Sequence, residues 1–192
     1  MQDLFIFPFN GNGIEALTCL DNKLNFIGFI DDAIEKQGKH EYGFYVYSKE
    51  ILTKFPKAKV LAVPGSPTSY LYRDDSINQL NLNQEHFTQI IHSNAIVSPF
   101  AKIGFNVLIM AGVVITSNAI IGNHVCILPN TVIHHDCKIG NYTLIGSSVS
   151  IAGHTNVGEK CFIGSGSRLI NNIEIGNETL IGLGSNIIKR RD

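Results

Sequence analysis

The sequence predicts an α/β N-terminal half followed by a parallel β-helix, and three observations carry that reading. An aliphatic residue returns at every sixth position from Ile103 to Ile187, through Ile109, Ile115, Ile121, Ile127, Ile133, Ile139, Ile145, Ile151, Val157, Ile163, Leu169, Ile175 and Ile181, with Ile91 and Val97 in phase upstream. Four residues after each member sits a slim side chain such as Val107, Ala119, Thr131, Cys137 or Ser167, and Gly is common one residue after it. Residues 1–88 lack this period and alternate short apolar runs with Gly- and Pro-containing turns. A helix needs a period near 3.6 and an ordinary strand a period of 2, so a strict six fits neither; it is the form a stacked parallel β-helix takes in sequence.

Each hexad supplies one short strand and one tight turn, and three hexads make a triangular coil of eighteen residues. The aliphatic residue fills the interior, the slim residue fits beside it, and the turn positions accept Gly, Asn and Asp. Coils stacked at roughly 4.8 Å give about five to six coils, a prism on the order of 25–30 Å long. Residues eighteen apart in sequence then become neighbours in space. Known hexapeptide prisms wind left-handed, against the usual right-handed crossover. The expected fold is therefore a Rossmann-like half domain over 1–88 and a left-handed parallel β-helix over 89–192. No insertion interrupts the repeat between residues 91 and 187. A site must use corner side chains, a neighbouring subunit, or the segment before the repeat.

Composition excludes several function classes. The chain has 192 residues and a net charge of −1, without the basic excess that nucleic-acid binding requires. Its N-terminus has no positive leader region, and no apolar run approaches the length of a membrane span, so a cytoplasmic protein is expected. The four cysteines form no CxxC; Cys137 and Cys161 fall on interior hexad positions, while Cys19 and Cys126 lie far apart in sequence. Reduced, structural thiols are expected.

In the first half, Leu4–Phe9 reads as a buried strand, followed by Asn10-Gly11-Asn12-Gly13 and a helix from Ile14 to Leu20. Phe26–Ile30 reads as a second strand ending in Asp31-Asp32, and Lys59–Val63 as a third ending in Pro64-Gly65-Ser66-Pro67. Ser66 as N-cap with Pro67 at the first helical position predicts a helix toward Leu80. Strand, Gly-rich turn, helix and a second strand with an acidic end make half of a Rossmann fold. Gly11 and Gly13 let backbone N–H groups approach a phosphate, and Asp31 or Asp32 accepts hydrogen bonds from sugar or base. The alternative readings are a plain tight turn and a solvated acidic pair. A dinucleotide domain needs more chain, so a single nucleotide is favoured.

In the repeat, one corner departs from the usual Asn, Gly and Ser: His134-His135-Asp136 follows Ile133. By the eighteen-residue rule, Asp136 lies between Asn118 and His154, and His135 between Ser117 and Gly153. A His oriented by a carboxylate has the means to act as a general base near neutral pH; the alternative is a set of surface corner residues. Some trimeric hexapeptide prisms hold zinc through three His, two of them separated by two coils. Two coils after His86, His92 and His124 come Gly122, Leu128 and Lys160, so no metal is expected.

A Rossmann-like half, an uninterrupted hexapeptide prism and the run Val132-Ile133-His134-His135-Asp136-Cys137-Lys138-Ile139-Gly140 resemble the PglD/NeuD-type sugar acyltransferases over nearly the whole chain. The resemblance implies a homotrimer with acetyl-CoA lying between two prisms and a nucleotide-linked amino sugar held by the N-terminal half. It implies His135 as general base, Asp136 as its acidic companion, and Gly153 as the backbone donor to the thioester carbonyl. His134 and His154 become supporting residues. Gly11, Asn12, Gly13, Asp31 and Asp32 match the nucleotide-binding turns, and Gly65-Ser66 a third. The implied activity is acetyl transfer to the amine of a nucleotide-linked amino sugar in bacterial glycan biosynthesis. O-acetylation of a sialic acid or other sugar, and a non-catalytic nucleotide-sugar-binding scaffold, are the alternatives. The chain departs from the family in having Pro8-Phe9 at the first turn, Leu128-Pro129 in place of Asn-Thr, and Leu144 in place of a second His. It also ends in Lys189-Arg190-Arg191-Asp192, without the family's usual tail; that basic cluster could meet CoA phosphates.

Overall fold

The computed structural model describes residues 1–188, so the basic end at 189–192 lies outside the described residues. The first half is built on strands β1 (Gln2–Phe7), β2 (Leu24–Ile30), β3 (Gly38–Lys39), β4 (Tyr45–Tyr47) and β5 (Lys59–Ala62). Their order is β3-β4-β2-β1-β5, with β1, β2, β4 and β5 parallel and β3 antiparallel at the edge. Helix α1 (Gly11–Ala16) follows β1, α2 (Ile51–Lys54) follows β4, and α3 (Arg73–Asn78) follows β5.

Two local predictions shift. α1 starts three residues before Ile14, because the Asn10 side chain accepts from Gly13 N at 2.8 Å and caps the first turn; a 3-10 turn over Leu17–Cys19 then completes the expected length. After β5, Ser66 does not start a helix. Its hydroxyl lies 3.0 Å from Thr68 Oγ1 and 2.9 Å from Ser69 Oγ, and accepts from Thr68 N at 3.3 Å. Hydroxyls this close to the backbone favour turns over helix, and the chain becomes helical only at a 3-10 turn over Tyr70–Tyr72 leading into α3.

From Ile90–Ile91 to Asn186–Ile187 the chain forms two-residue strands in three parallel sheets of six, five and six strands. Register follows the eighteen-residue rule: Ile115 pairs with Ile133, Ile133 with Ile151, and Ile151 with Leu169. The hexad aliphatics and slim residues, including Val107, Ala119, Cys137 and Cys161, form one continuous core. Corners turn through a residue at positive φ three places after the aliphatic, as at Asn118 (60°), Asp136 (60°) and His154 (59°). Gly one place after the aliphatic meets a different need. A Cβ on Gly122 would stand 2.7 Å from Asn141 Oδ1 and 2.9 Å from Asn141 N, so these glycines allow close stacking of coils.

One prism face is apolar outward. Leu108, Cys126, Leu144 and Phe162 pack against Leu4, Ile6, Phe29 and Leu61 of the first half, and this shared core fixes the two halves together. The corner column Asn106, His124, Tyr142, Lys160 and Glu178 completes the joint, one residue per coil. Asn106 accepts from Ala62 N at 2.7 Å and donates to Ala62 O at 2.9 Å, Lys160 pairs with Asp74, and Glu178 O accepts from Tyr70 Oη at 2.9 Å. All four cysteines are buried free thiols. Among the described residues no helix is long and apolar enough to cross a membrane.

Candidate active site

The turn after Ile133 and the turn one coil later bring three of the expected residues into contact. His135 Nδ1 lies 2.8 Å from Asp136 Oδ2, and the other carboxylate oxygen accepts from Asn118 Nδ2 at 3.1 Å. His154 Nε2 stands 3.8 Å from Asp136 Oδ2, with its ring edge-on to His135 at 5.0 Å between centroids. The side chains of His135, Asp136 and His154 are 54%, 36% and 56% exposed, so all three are open to a ligand. The His135 hydrogen bond first, and then that from Asn118, hold the Asp136 carboxyl below its usual range. A carboxylate facing Nδ1 makes that nitrogen the proton-bearing one in the neutral ring and leaves the Nε2 lone pair free.

Gly153 lies directly beside this ring. A Cβ there would stand 2.7 Å from both Cε1 and Nε2 of His135. At some corners the N–H at this turn position donates to the next coil, as Asn123 N does to Asn141 Oδ1 at 2.8 Å, but in the column of Ser117, His135 and Gly153 it does not. Gly153 N has no acceptor among the described residues. His134 is exposed beside them, its backbone N donating to Ile151 O at 3.0 Å. Beyond His154 a shallow groove of about 580 Å³ runs over Asn156, Asn172, Ile173 and Glu174.

A second site lies where the halves meet. A cavity of about 570 Å³ is walled by Asn10, Gly11, Asn12, Gly65 and Ser66 on one side and by Leu128, Leu144 and Phe162 of the prism on the other. Asn10 Nδ2 donates to Val63 O and Asn12 Nδ2 to Gly65 O, each at 3.3 Å, tying the first turn to the third. Gly13 is packed inside, where a Cβ would stand 2.7 Å from Pro8 O; Gly11 faces open space. Pro8, Pro64 and Ser76 also line an adjoining pocket of about 250 Å³, which contains Asp31, Asp32 and Lys36. Both carboxylates already have partners in the chain: Asp31 with Lys36 Nζ at 2.8 Å and Ala33 N at 3.1 Å, Asp32 with Lys49 N at 3.0 Å. Of the turn residues expected to meet a nucleotide, Gly11, Asn12, Gly65, Ser66, Asp31 and Asp32 line two adjoining cavities, Gly13 is packed behind them, and His135, Asp136 and Gly153 line neither.

The family comparison matches the bacterial transferase hexapeptide (six repeats) over residues 100–135 and 118–153. The matched stretch, residues 100–153, lies wholly within the prism. Comparison with curated proteins gives no match. Among solved structures, the chain is similar to PerB from Caulobacter crescentus in complex with CoA and GDP-perosamine, at 23% identity and a TM-score of 0.84, covering 98% of this chain and 89% of that one. It is similar to the acetyltransferase domain of PglB from Neisseria gonorrhoeae at 22% identity and a TM-score of 0.83, covering 100% and 94%. WeeI from Acinetobacter baumannii AYE gives 20% identity and 0.83, covering 98% and 92%. This likeness is one of fold over the whole chain, and it makes the hexapeptide prism a left-handed β-helix behind an α/β half, as the resemblance to PglD/NeuD-type proteins implies.

Several residues escape a reading of the sequence. Asn10 carried a signal, an N-cap Asn before Gly, as did Asn118, one coil below Asp136. Arg73 carried none. It is fully buried in α3, and its guanidinium donates to the carbonyls of Pro64, His124 (2.6 Å) and Tyr142 (2.9 Å). Leu128 and Leu144, two of the four departures from the PglD/NeuD-type pattern, form with Phe162 the apolar prism wall of the larger cavity. His135, Asp136 and His154 also bring potential metal-ligand atoms together. Their donor atoms lie within 4.8 Å of one another, although the chain lacks the zinc spacing of known prisms.

Proposed function

We propose that the chain transfers an acetyl group from acetyl-CoA to the amine of a nucleotide-linked amino sugar, with residues 1–88 holding the nucleotide and the prism from 89 onward carrying the chemistry. The observation that carries this reading is the His135–Asp136 pair, whose ring lies against Gly153. A similar structure, PerB, holds CoA and GDP-perosamine, and the PglB acetyltransferase domain has been seen with acetyl coenzyme A. Both support a nucleotide sugar and an acyl-CoA as the two substrates.

Acetyl-CoA brings an activated thioester carbonyl; the residues of the chain do the rest. An amine can attack only with its lone pair free. Nε2 of His135 takes the proton that the attacking nitrogen gives up, and Asp136 stabilises the imidazolium through Nδ1. Gly153 N–H donates to the oxygen that gains charge as the carbonyl becomes tetrahedral. Collapse then releases the CoA thiolate. Cys137 and Cys161 point into the prism core, and Cys19 and Cys126 are buried, so no thiol is placed as a covalent nucleophile. Direct attack within a ternary complex is favoured.

The groove over Asn156, Asn172 and Ile173 fits the donor arm. Because the nucleotide cavity opens on one prism face and His135 stands at another corner, a homotrimer completes the site, with one copy presenting the sugar to the His135 of the next. The test offers purified protein acetyl-CoA with nucleotide-linked amino sugars, free sialic acid and hydroxy sugars, following thiol release. Release with an amino sugar, lost by about a hundredfold or more in His135→Ala, supports the reading. Release with a hydroxy acceptor alone supports O-acetylation. Nucleotide binding with no release for any acceptor supports a scaffold.

A further inference from the structure

We propose that His135, Asp136 and His154 form a binding site for a zinc-like divalent ion, and that the ion switches the catalytic base off by exchanging the tautomer of His135. Three donor atoms from two successive coils converge here within 4.8 Å. Asp136 Oδ2 is the centre, 2.8 Å from His135 Nδ1 and 3.8 Å from His154 Nε2. Asn118 holds the other oxygen at 3.1 Å, so the free oxygen is already turned toward both rings. Tetrahedral zinc with bonds near 2.0–2.2 Å needs donors roughly 3.3 Å apart, so the two pairs made by Asp136 shift by about half an ångström and the two rings, within 4.8 Å, close by up to about 1.5 Å. The exposure of all three side chains permits that movement. Two imidazoles and one carboxylate suit zinc and its late transition-metal neighbours, and leave a fourth position for water. Magnesium and calcium prefer oxygen-only sets with more ligands.

The consequence follows from which nitrogen is engaged. Without metal, Asp136 accepts the proton on Nδ1 and the lone pair on Nε2 is the base. An ion on Asp136 Oδ2 and His154 Nε2 takes the Nδ1 lone pair of His135. The neutral ring then carries its single proton on Nε2, moved there through solvent with no net gain or loss. A ring with Nε2–H cannot accept the proton of an attacking amine. The inhibitory part rests on the acetyltransferase reading; the binding itself does not.

The experiment titrates zinc, and cobalt as its visible reporter, into the full chain without substrates. Wild-type protein is compared with His154→Asn and Asp136→Asn. Asn occupies the same corner position at Asn118 and Asn172, so His154→Asn suits the turn geometry. The expected result is one ion per chain with tetrahedral cobalt absorption, and affinity lower by about tenfold or more in either variant. Nitrogen-15 spectra of the His135 ring show the proton on Nδ1 before zinc and on Nε2 after it. Equal affinity in His154→Asn, no binding at millimolar zinc, or an unchanged tautomer overturns the proposal. In the thiol-release assay zinc inhibits the wild type, a chelator restores the rate, and the remaining rate of His154→Asn ignores zinc. If no acceptor supports thiol release but the ion still binds as stated, the acetyltransferase reading fails and the metal site stands.

Discussion

At the scale of single residues, the proposed catalytic corner depends on what Gly153 lacks. Gly153→Ala places a methyl group 2.7 Å from the His135 ring and must displace it. We expect turnover to fall at least about tenfold with little change in the KM for the nucleotide sugar, since a group that acts only in the transition state affects kcat. Steady-state kinetics on the purified variant checks this. His124 offers a pH test far from that corner. It is 5% exposed, stacked on Tyr142 at 4.6 Å, and its Nδ1 lies 2.8 Å from Asn106 Nδ2, which must be the donor. Burial, and then the nearby Arg73 guanidinium, push its pKa down to about 4 from 6.5. The unfolded chain therefore binds a proton on this ring below about pH 6.5 that the folded chain refuses until about pH 4. Stability is unaffected above that window and falls through it as pH drops, by up to about 3.5 kcal/mol at roughly 1.4 per pK unit. Denaturant unfolding between pH 7 and 4 should show the loss, and His124→Asn should flatten it. His135, Asp136 and Gly153 were legible because the repeat fixes which residues stack. The partners of Asp31 and Asp32 were not, because Lys49 reaches Asp32 from the far end of β4, outside any local pattern.

At the scale of elements, α3 works as a strut. Arg73 reaches from it to the Pro64 carbonyl at the nucleotide cavity and to two coils of the prism, with no carboxylate among its hydrogen-bond partners. Arg73→Met orphans three carbonyls, for a loss of about 2–4 kcal/mol. That corresponds to a drop of roughly 5–10 °C in Tm for a chain of this size. We also expect the KM for the nucleotide sugar to rise while that for acetyl-CoA holds, because Pro64 borders only the nucleotide cavities. Arg73→Lys should recover only part of both, since one ammonium cannot span three acceptors in a plane. Scanning calorimetry and initial rates separate the two effects. The prism strands were legible in the sequence in number and phase, one to each hexad. The helix after β5 was not, because three hydroxyls at Ser66, Thr68 and Ser69 bond among themselves where an N-cap was expected.

At the scale of the molecule, the cavity proposed for the nucleotide and the His135 corner occupy different parts of the chain, so the proposed site needs two copies. Mixing His135→Ala with a variant blocked at the cavity, such as Gly11→Leu, where a side chain meets open space, and refolding them together should recover part of the activity that each alone lacks. Separate trimers that fail to complement would argue for a site within one chain. Exposed Ile96, Phe100 and Ile120 on the first coils supply apolar surface for such an assembly, and sedimentation measures its size. Nucleotide-linked sugars that fill the cavity should raise Tm in proportion to the logarithm of their concentration over Kd. The two-part architecture was legible because each half has its own period. Their joint was not, since it depends on outward residues of a single sheet and on one corner column.

That joint has a consequence for how the chain tolerates change in length. Every coil from Asn106 to Glu178 is attached to the first half, and every inward side chain keeps its phase by counting six. Loss or gain of one residue in this stretch would turn each later aliphatic outward and slide the catalytic corner off its Asn118 support. Removal of a whole coil would preserve the phase yet bring a different rung opposite α3. Genetic drift in this half is thus confined to exchange of side chains, whereas the turns before residue 88 remain free to lengthen.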